Sequence, residues 1–211
     1  MTNTTTTVTT AATAATAATA ITTTAPLAPA VAFSHLGFFV RDIARMEDFY
    51  TRVIGFTVTD RGDLGTVQLV FLSRDPEEHH QVVLASGRPD DLRFNLINQI
   101  SFRVEGIAAL RRFNDMLLEE ERGGRVSELR PVTHGNAISI YFRDPEGNRI
   151  ELFFDTPWYC EQPVREAVDF THSDEEIMRH CEAVARSLPR FMPRAQWVAQ
   201  MKARMAGRTH G

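Results

Sequence analysis

Val132-Thr-His134-Gly135-Asn-Ala-Ile-Ser-Ile140-Tyr141-Phe-Arg143-Asp144-Pro145-Glu-Gly147-Asn-Arg-Ile-Glu151-Leu-Phe-Phe154 carries two strand-like runs, Ala137–Phe142 and Arg149–Phe154, on either side of an Asp-Pro-Glu-Gly turn. Proline fixes its own φ and restricts the residue before it, and glycine takes turn conformations closed to other residues. The tetrapeptide therefore ends one strand and starts its return. Arg-Asp-Pro-Glu also stands at 74–77, again ahead of an apolar run, His80–Ala85. Around each copy the order of elements agrees. Ser34–Val40 reads as a strand, and Ile43–Ile54 places Ile43, Met46, Phe49, Tyr50 and Val53 on one helical face, stopped by Gly55. Phe56–Thr59, Thr66–Leu72 and His80–Ala85 complete that half as strands. In the second half, Gln99–Val104 is a strand, Ile107–Leu118 a helix with Leu110, Phe113, Leu117 and Leu118 inward, and Glu128–Val132, Ala137–Phe142 and Arg149–Phe154 are strands. Strand, helix and three strands, twice, is an internal repeat. Each half alone has a sheet with one face to bury. The expected fold is α+β, with two βαβββ modules (33–87 and 97–156) paired around a shared cleft.

The flanks differ in composition. Residues 1–32 are mostly Thr and Ala, with no Lys or Arg after Met1, and carry too little large apolar side chain to offset ordering entropy. They are expected to be a disordered tail without the charge pattern of a secretory or transit peptide. Residues 157–211 read as a helical extension. Pro157 and Pro163 make 156–171 an extended, surface-clamping segment, and Ser173-Asp-Glu-Glu176 is a capping box opening a helix to about Leu188. Pro189 and Pro193 precede a last helix through Trp197 and Met201. Trp158, Tyr159, Phe191 and Trp197 are placed to cover the double module or a dimer contact.

The 211 residues are 43% apolar and 24% charged, with a formal charge of −4. Scattered Lys and Arg on a slightly acidic chain argue against a nucleic-acid partner. No strongly apolar run is long enough to span a membrane. Cys160 and Cys181 are too few for a disulfide scaffold and are read as reduced, in a cytoplasmic protein.

Of seven histidines, His172, His180 and His210 fall in the tail and are read as solvated, whereas His35, His79, His80 and His134 lie at strand starts or in loops of the repeat. Glu151 interrupts an otherwise apolar strand and shares a face with Phe153, opposite Ile150 and Leu152. Taken singly, Glu151 reads as a surface carboxylate and His35 as a structural histidine. Taken together, an imidazole from one half and a carboxylate from the other suit a divalent transition metal with open positions. Phe38, Phe102, Phe142 and Phe153 are core residues by alternation, with stacking on an aromatic ring as the alternative reading.

His35-Leu-Gly-Phe-Phe-Val40, the repeated element order and Gly147-Asn-Arg-Ile-Glu151 resemble the vicinal oxygen chelate superfamily of glyoxalases, bleomycin- and fosfomycin-resistance proteins and extradiol dioxygenases. The run from His134 through Tyr141 and Asp144-Pro-Glu-Gly147 to Glu151 resembles the extradiol dioxygenase signature, and Glu78-His79-His80-Gln-Val-Val-Leu84 resembles the His-His-apolar run of that group. The resemblance covers residues 33–156. It implies Fe(II), with Mn(II) as the alternative, bound by His35, Gln99 and Glu151. It also implies an acid–base role for His80, with His79 its structural neighbour, and hydrogen bonds from His134 and Tyr141 to the oxygens of a catecholic substrate that reacts with O2. A homo-oligomer is expected. Gln99 stands where the family's second histidine is expected, so a weaker, harder donor replaces imidazole. His80 reaching the metal instead is the alternative ligand arrangement. The Asp-Pro alignment puts Val82 where glyoxalases of the superfamily place a carboxylate, which disfavours a glyoxalase-type lyase or isomerase. A metal-weak protein that binds an aromatic ligand without turnover is the other alternative.

Overall fold

The computed structural model describes residues 31–92 and 94–207. The expectations for residues 1–30 and for His210 lie outside them. In the first module, β1 (Leu36–Val40), α1 (Ile43–Arg52), β2 (Thr57–Asp63), β3 (Gln68–Ser73) and β4 (Val82–Ser86) follow in order. In the second, β5 (Ile100–Arg103), α2 (Ile107–Arg122), β6 (Ser127–Thr133), β7 (Ala137–Arg143) and β8 (Arg149–Asp155) repeat it. The first sheet has strand order β1-β4-β3-β2; in the second, β6-β7-β8-β5 is extended by β10 (Glu166–Ala167) on the β6 side. In each module the first strand pairs parallel to the last, β1 with β4 and β5 with β8, so both β1 and β5 are edge strands.

Alternation decides what each sheet buries. Phe38, Val40, Val82 and Leu84 in the first sheet, and Ile100, Ile138, Ile140, Phe142, Ile150 and Leu152 in the second, belong to one apolar core. The helices close that core from both modules. Phe49 of α1 lies edge-on to Phe142 of β7 at 6.3 Å, and Phe56 meets Phe102 at 5.6 Å. Arg52 of α1 grips Glu120 of α2 (2.8 Å to Oε1), and Arg125 takes the same carboxylate (2.7 Å to Oε2). The modules thus meet through their helix-covered faces, and each sheet turns its other face outward. On the first sheet that face carries Gly37 and Phe39, the latter 58% exposed. On the second it carries Ser101, Arg103 and Tyr141.

Several local expectations shift. Helix α2 runs four residues past Leu118, which is exposed, while Asn114 and Glu120 take the inward places. Glu120 tolerates burial because two guanidinium groups hold it. Strand β4 starts at Val82, so His79 and His80 lie in the turn before it. The β1–β4 register pairs Leu36 with Val82 and Gly37 with Val83, and that of β5–β8 pairs Ile100 with Ile150 and Ser101 with Glu151. The counterpart of Glu151 on the outward face is therefore Val83; Val82 points into the core. The loop before β4 is one residue longer than its counterpart, which displaces an alignment anchored on Asp-Pro. Either side chain is apolar, so the position still offers no metal donor.

After β8 the chain forms β9 (Trp158–Tyr159), β10, α3 (Asp174–Arg186), β11 (Met192–Pro193) and α4 (Arg194–Gly207). β11 pairs with β9, and Ser173 and Glu176 make a reciprocal capping box at the start of α3. Between β9 and α3 the chain lies as a strap along β6, and Trp158, Phe170 and Ile177 join the core. Tyr159 stacks on Trp197 at 5.2 Å.

Candidate metal and substrate site

Glu151 occupies the middle of the second sheet's outward face, with Tyr141 on β7 and Ser101 on β5 directly across from it. It is 7% exposed, so the simple surface reading of this carboxylate does not hold. Gln99 Nε2 donates to Glu151 Oε2 at 2.8 Å, and the Ser101 hydroxyl donates to the same oxygen. On the other side His134 Nε2 lies 3.9 Å from Oε1. Among the described residues no Arg or Lys pairs with this carboxylate. A buried carboxylate compensated by neutral donors alone carries a desolvation cost of several kcal/mol. A divalent ion is the partner that would relieve it, and carboxylate with amide and imidazole donors suits Fe(II) or Mn(II).

His134 is oriented by the strap. Its Nδ1 donates to the Val164 carbonyl at 2.6 Å, which turns Nε2 toward the Tyr141 hydroxyl at 3.1 Å. The turn that presents it depends on Gly135, which has φ +74° and no room for a side chain, since a Cβ would stand 2.2 Å from Cys160 Sγ. The Gly135 carbonyl accepts from Trp158 Nε1 at 2.6 Å and from the Thr156 hydroxyl at 2.9 Å. Burial, reinforced by hydrogen bonding to Glu151 and its negative charge, holds the Tyr141 phenol well above the ordinary tyrosine range. Tyr141 is thus a hydrogen-bond donor at neutral pH. Arg165, 5.4 Å above the Tyr141 ring, pulls weakly the other way.

The first sheet carries the remaining expected residues. The His35 and His80 rings lie 4.3 Å apart, and His79 Nδ1 shares a hydrogen bond with His80 Nδ1 at 2.9 Å. Burial, followed by the neighbouring imidazoles of His35 and His79, lowers the pKa of His80, which is therefore neutral at pH 7. His79 lies 3.9 Å from Asp60.

The expected residues therefore gather as two groups: Gln99, His134, Tyr141 and Glu151 on the second sheet, and His35 with His80 on the first. Among the described residues His35 contacts Ser34 and His80, and no group of three or more His, Cys, Asp and Glu is placed to hold a metal ion within one chain. The alignment that singled out Gln99 also put Ser101 opposite Gly37, so Ser101 was within reach of sequence reasoning. Arg165 and the Val164 carbonyl come from the strap, and no local pattern marks them.

A doubled βαβββ architecture with a carboxylate–histidine–tyrosine cluster on one sheet defines a class, and comparison with known proteins assigns it. Residues 32–152 match the model of the Glyoxalase/Bleomycin resistance protein/Dioxygenase superfamily, and the chain belongs to that superfamily. It is 28% identical over 149 residues to biphenyl-2,3-diol 1,2-dioxygenase 3 of Rhodococcus globerulus, a match covering 67% of this chain and 70% of that one. Among solved structures, a glyoxylase/bleomycin resistance protein/dioxygenase domain from Frankia sp. EAN1pec covers 61% of this chain and 94% of its own, at 23% identity and a TM-score of 0.50. The fosfomycin resistance protein FosX of Listeria monocytogenes, complexed with Mn(II) and sulfate, covers 61% of this chain and 95% of its own, at 17% identity and a TM-score of 0.45. These structural likenesses are of fold alone.

Proposed function

We propose that the protein is a metal-dependent extradiol-type ring-cleavage dioxygenase acting on a catecholic aromatic with O2. The observation that carries this reading is the buried Glu151 carboxylate, held by neutral donors beside the Tyr141–His134 pair. His35, Gln99 and Glu151 would hold Fe(II), or Mn(II) in its place; when bound, the ion supplies electron transfer between a chelated catechol and O2. The chain's own residues do the rest. Tyr141 donates a hydrogen bond to a substrate oxygen. His134 Nε2, 3.1 Å from the Tyr141 hydroxyl, steadies that hydroxyl beside Glu151. His80, neutral at pH 7, accepts the substrate hydroxyl proton.

The reading extends to a homo-oligomer in which His35 and His80 of a second copy face Gln99 and Glu151. The accessible outward faces support this, as do the edge positions of β1 and β5 and the exposed apolar side chains Phe39, Leu92, Phe94 and Leu96. Residues 33–156 form the functional unit in this reading, with 157–207 supplying the strap that orients His134. Two buried free cysteines suit a reducing cytoplasm.

The test is anaerobic loading with Fe(II), addition of catechols and then air, followed by O2 uptake and the yellow ring-fission product. Bound iron without O2 uptake across a broad catechol panel refutes the activity and leaves an aromatic-binding protein. Mixing His35→Ala with Glu151→Gln protein separates a shared site, which regains activity, from a site within one chain, which does not.

A further inference from the structure

We propose that Arg88 and Asn95 are positioning residues, which bolt the linker between the modules to the β7–β8 turn and so set Gln99 against Glu151. This rests on the metal-binding reading of Gln99 and Glu151 above. Gln99 ends the linker that leaves β4 at Ser86, and it lies just before the first β5–β8 pair, Ile100 with Ile150. Strand β5 is four residues long and pairs on one side only, so the ladder by itself holds its start weakly. Leu96, Ile97 and Asn98, which lead into it, are exposed, so burial does not order them. Yet Gln99 Nε2 is held at 2.8 Å from Glu151 Oε2. The linker needs an anchor close to its end.

That anchor is a ring of side chains. The backbone N–H groups of Gly87 and Arg88 donate to the Val40 carbonyl at 3.1 and 3.2 Å, which fixes Arg88 at the end of β1. Its side chain, 6% exposed, crosses to the second module. There Nη1 donates to Asn148 Oδ1 at 3.0 Å and lies 3.6 Å from Glu146 Oε2. Nη2 donates to Asn95 Oδ1, and Asn95 Nδ2 donates to the Gly147 carbonyl at 3.1 Å. One planar guanidinium fork therefore closes the linker between residues 88 and 95 and fastens it to the turn. The turn is itself braced. Asp144 accepts from the backbone N–H groups of Glu146 and Asn148, both at 2.9 Å, and from Asn148 Nδ2 at 2.8 Å. Glu146 Oε1 accepts from the backbone N–H groups of Arg41 and Asp42, which ties the start of α1 to the same turn. Gln99 stands four residues beyond Asn95, and Glu151 three beyond Asn148. Both side chains thus extend by short spans from one fastening point, and supporting groups of this kind decide how well a ligating side chain is presented.

Removing Arg88 would leave the Glu146 carboxylate buried and uncompensated, so the test is made at Asn95, which is half-buried. Mn(II) is titrated into full-length wild type, Asn95→Ala, Gln99→Ala and the double variant, and hydrogen–deuterium exchange is followed in the same proteins. Asn95→Ala is expected to weaken Mn(II) binding about tenfold. It should also speed exchange over Ile100–Arg103 and leave exchange in α3 unchanged. In the Gln99→Ala background the same substitution should cost no further affinity, because the side chain it acts through is gone. Unchanged Mn(II) affinity in Asn95→Ala overturns the proposal. So does an equal loss with and without Gln99, which a merely structural role would give. Wild type that takes up no Mn(II) removes the metal reading, and exchange then decides the anchor by itself. Faster exchange over β5 in Asn95→Ala supports it, and unchanged exchange overturns it.

Discussion

Glu120→Gln tests whether the two modules are held together by the ion cluster between their helices. The Glu120 side chain is buried, and Arg52 and Arg125 hold its carboxyl down at about 2, against 4.5 for a free glutamate. Converted by linkage, that difference corresponds to an upper bound of about 3 kcal/mol in favour of the charged, gripped state. The two arginines keep 45% and 48% of their side-chain surface in water, so hydration returns part of this, and about 1–2 kcal/mol remains. For a chain of this size that is a fall of about 3–6 °C in Tm. The sign with pH follows from the lowered carboxyl. Its stabilisation is fully present above the unfolded value of 4.5 and is lost as pH falls from there toward about 2. Urea midpoints of wild type and Glu120→Gln should therefore differ most at neutral pH and converge as the solution is acidified. Equal midpoints at neutral pH, or a gap that persists in acid, would show that the cluster does not hold the modules together.

Two further substitutions probe the site's scaffold and its donor set. Gly135→Ala places a Cβ 2.2 Å from Cys160 Sγ at a left-handed φ, and should lower stability by about 3 kcal/mol or more by thermal denaturation. The Cys160→Ala background should recover only the steric part. Gln99→His restores an imidazole and should tighten metal binding by about tenfold, read by elemental analysis after dialysis against graded chelator. Unchanged affinity would place residue 99 outside the metal's ligands.

The sequence carried more of the fold than of the site, for reasons that lie in particular residues. The two Arg-Asp-Pro-Glu turns, Gly55 and the Ser173 capping box are local signals, and local physics obeys them. How the modules meet is not local. An amphipathic helix such as α1 announces an apolar face without saying which second surface will share it, so Phe49 against Phe142 lay beyond any pattern. The burial of Glu120 was hidden likewise, because its two cations come from positions 52 and 125. At the site, alternation put Glu151 and Phe153 on one face, and the alignment of β5 with β1 put Gln99 opposite His35. Both follow from the pleat. The same reasoning misplaced the first module's counterpart of Glu151 by one residue, at Val82 instead of Val83, because one extra loop residue moves every later side chain to the other face.

The chemistry at Glu151 follows from how its lone pairs are divided. A carboxylate has about four acceptor positions, and Gln99 and Ser101 both spend theirs on Oε2. Oε1 looks toward His134 at 3.9 Å, too far for a hydrogen bond. The carboxylate is thus held in orientation by Gln99 and Ser101, with Tyr141 also hydrogen-bonded to it, and lone pairs remain beyond those three donors for a cation. Gln99 suits the same task because an amide carries a donor and an acceptor on one carbon. Its nitrogen steadies Glu151, and a half-turn about its last torsion presents the oxygen instead. An imidazole at residue 99 would steady Glu151 only through a ring N–H, giving up that nitrogen as a ligand, so Gln99→His should trade a fixed carboxylate for a stronger donor.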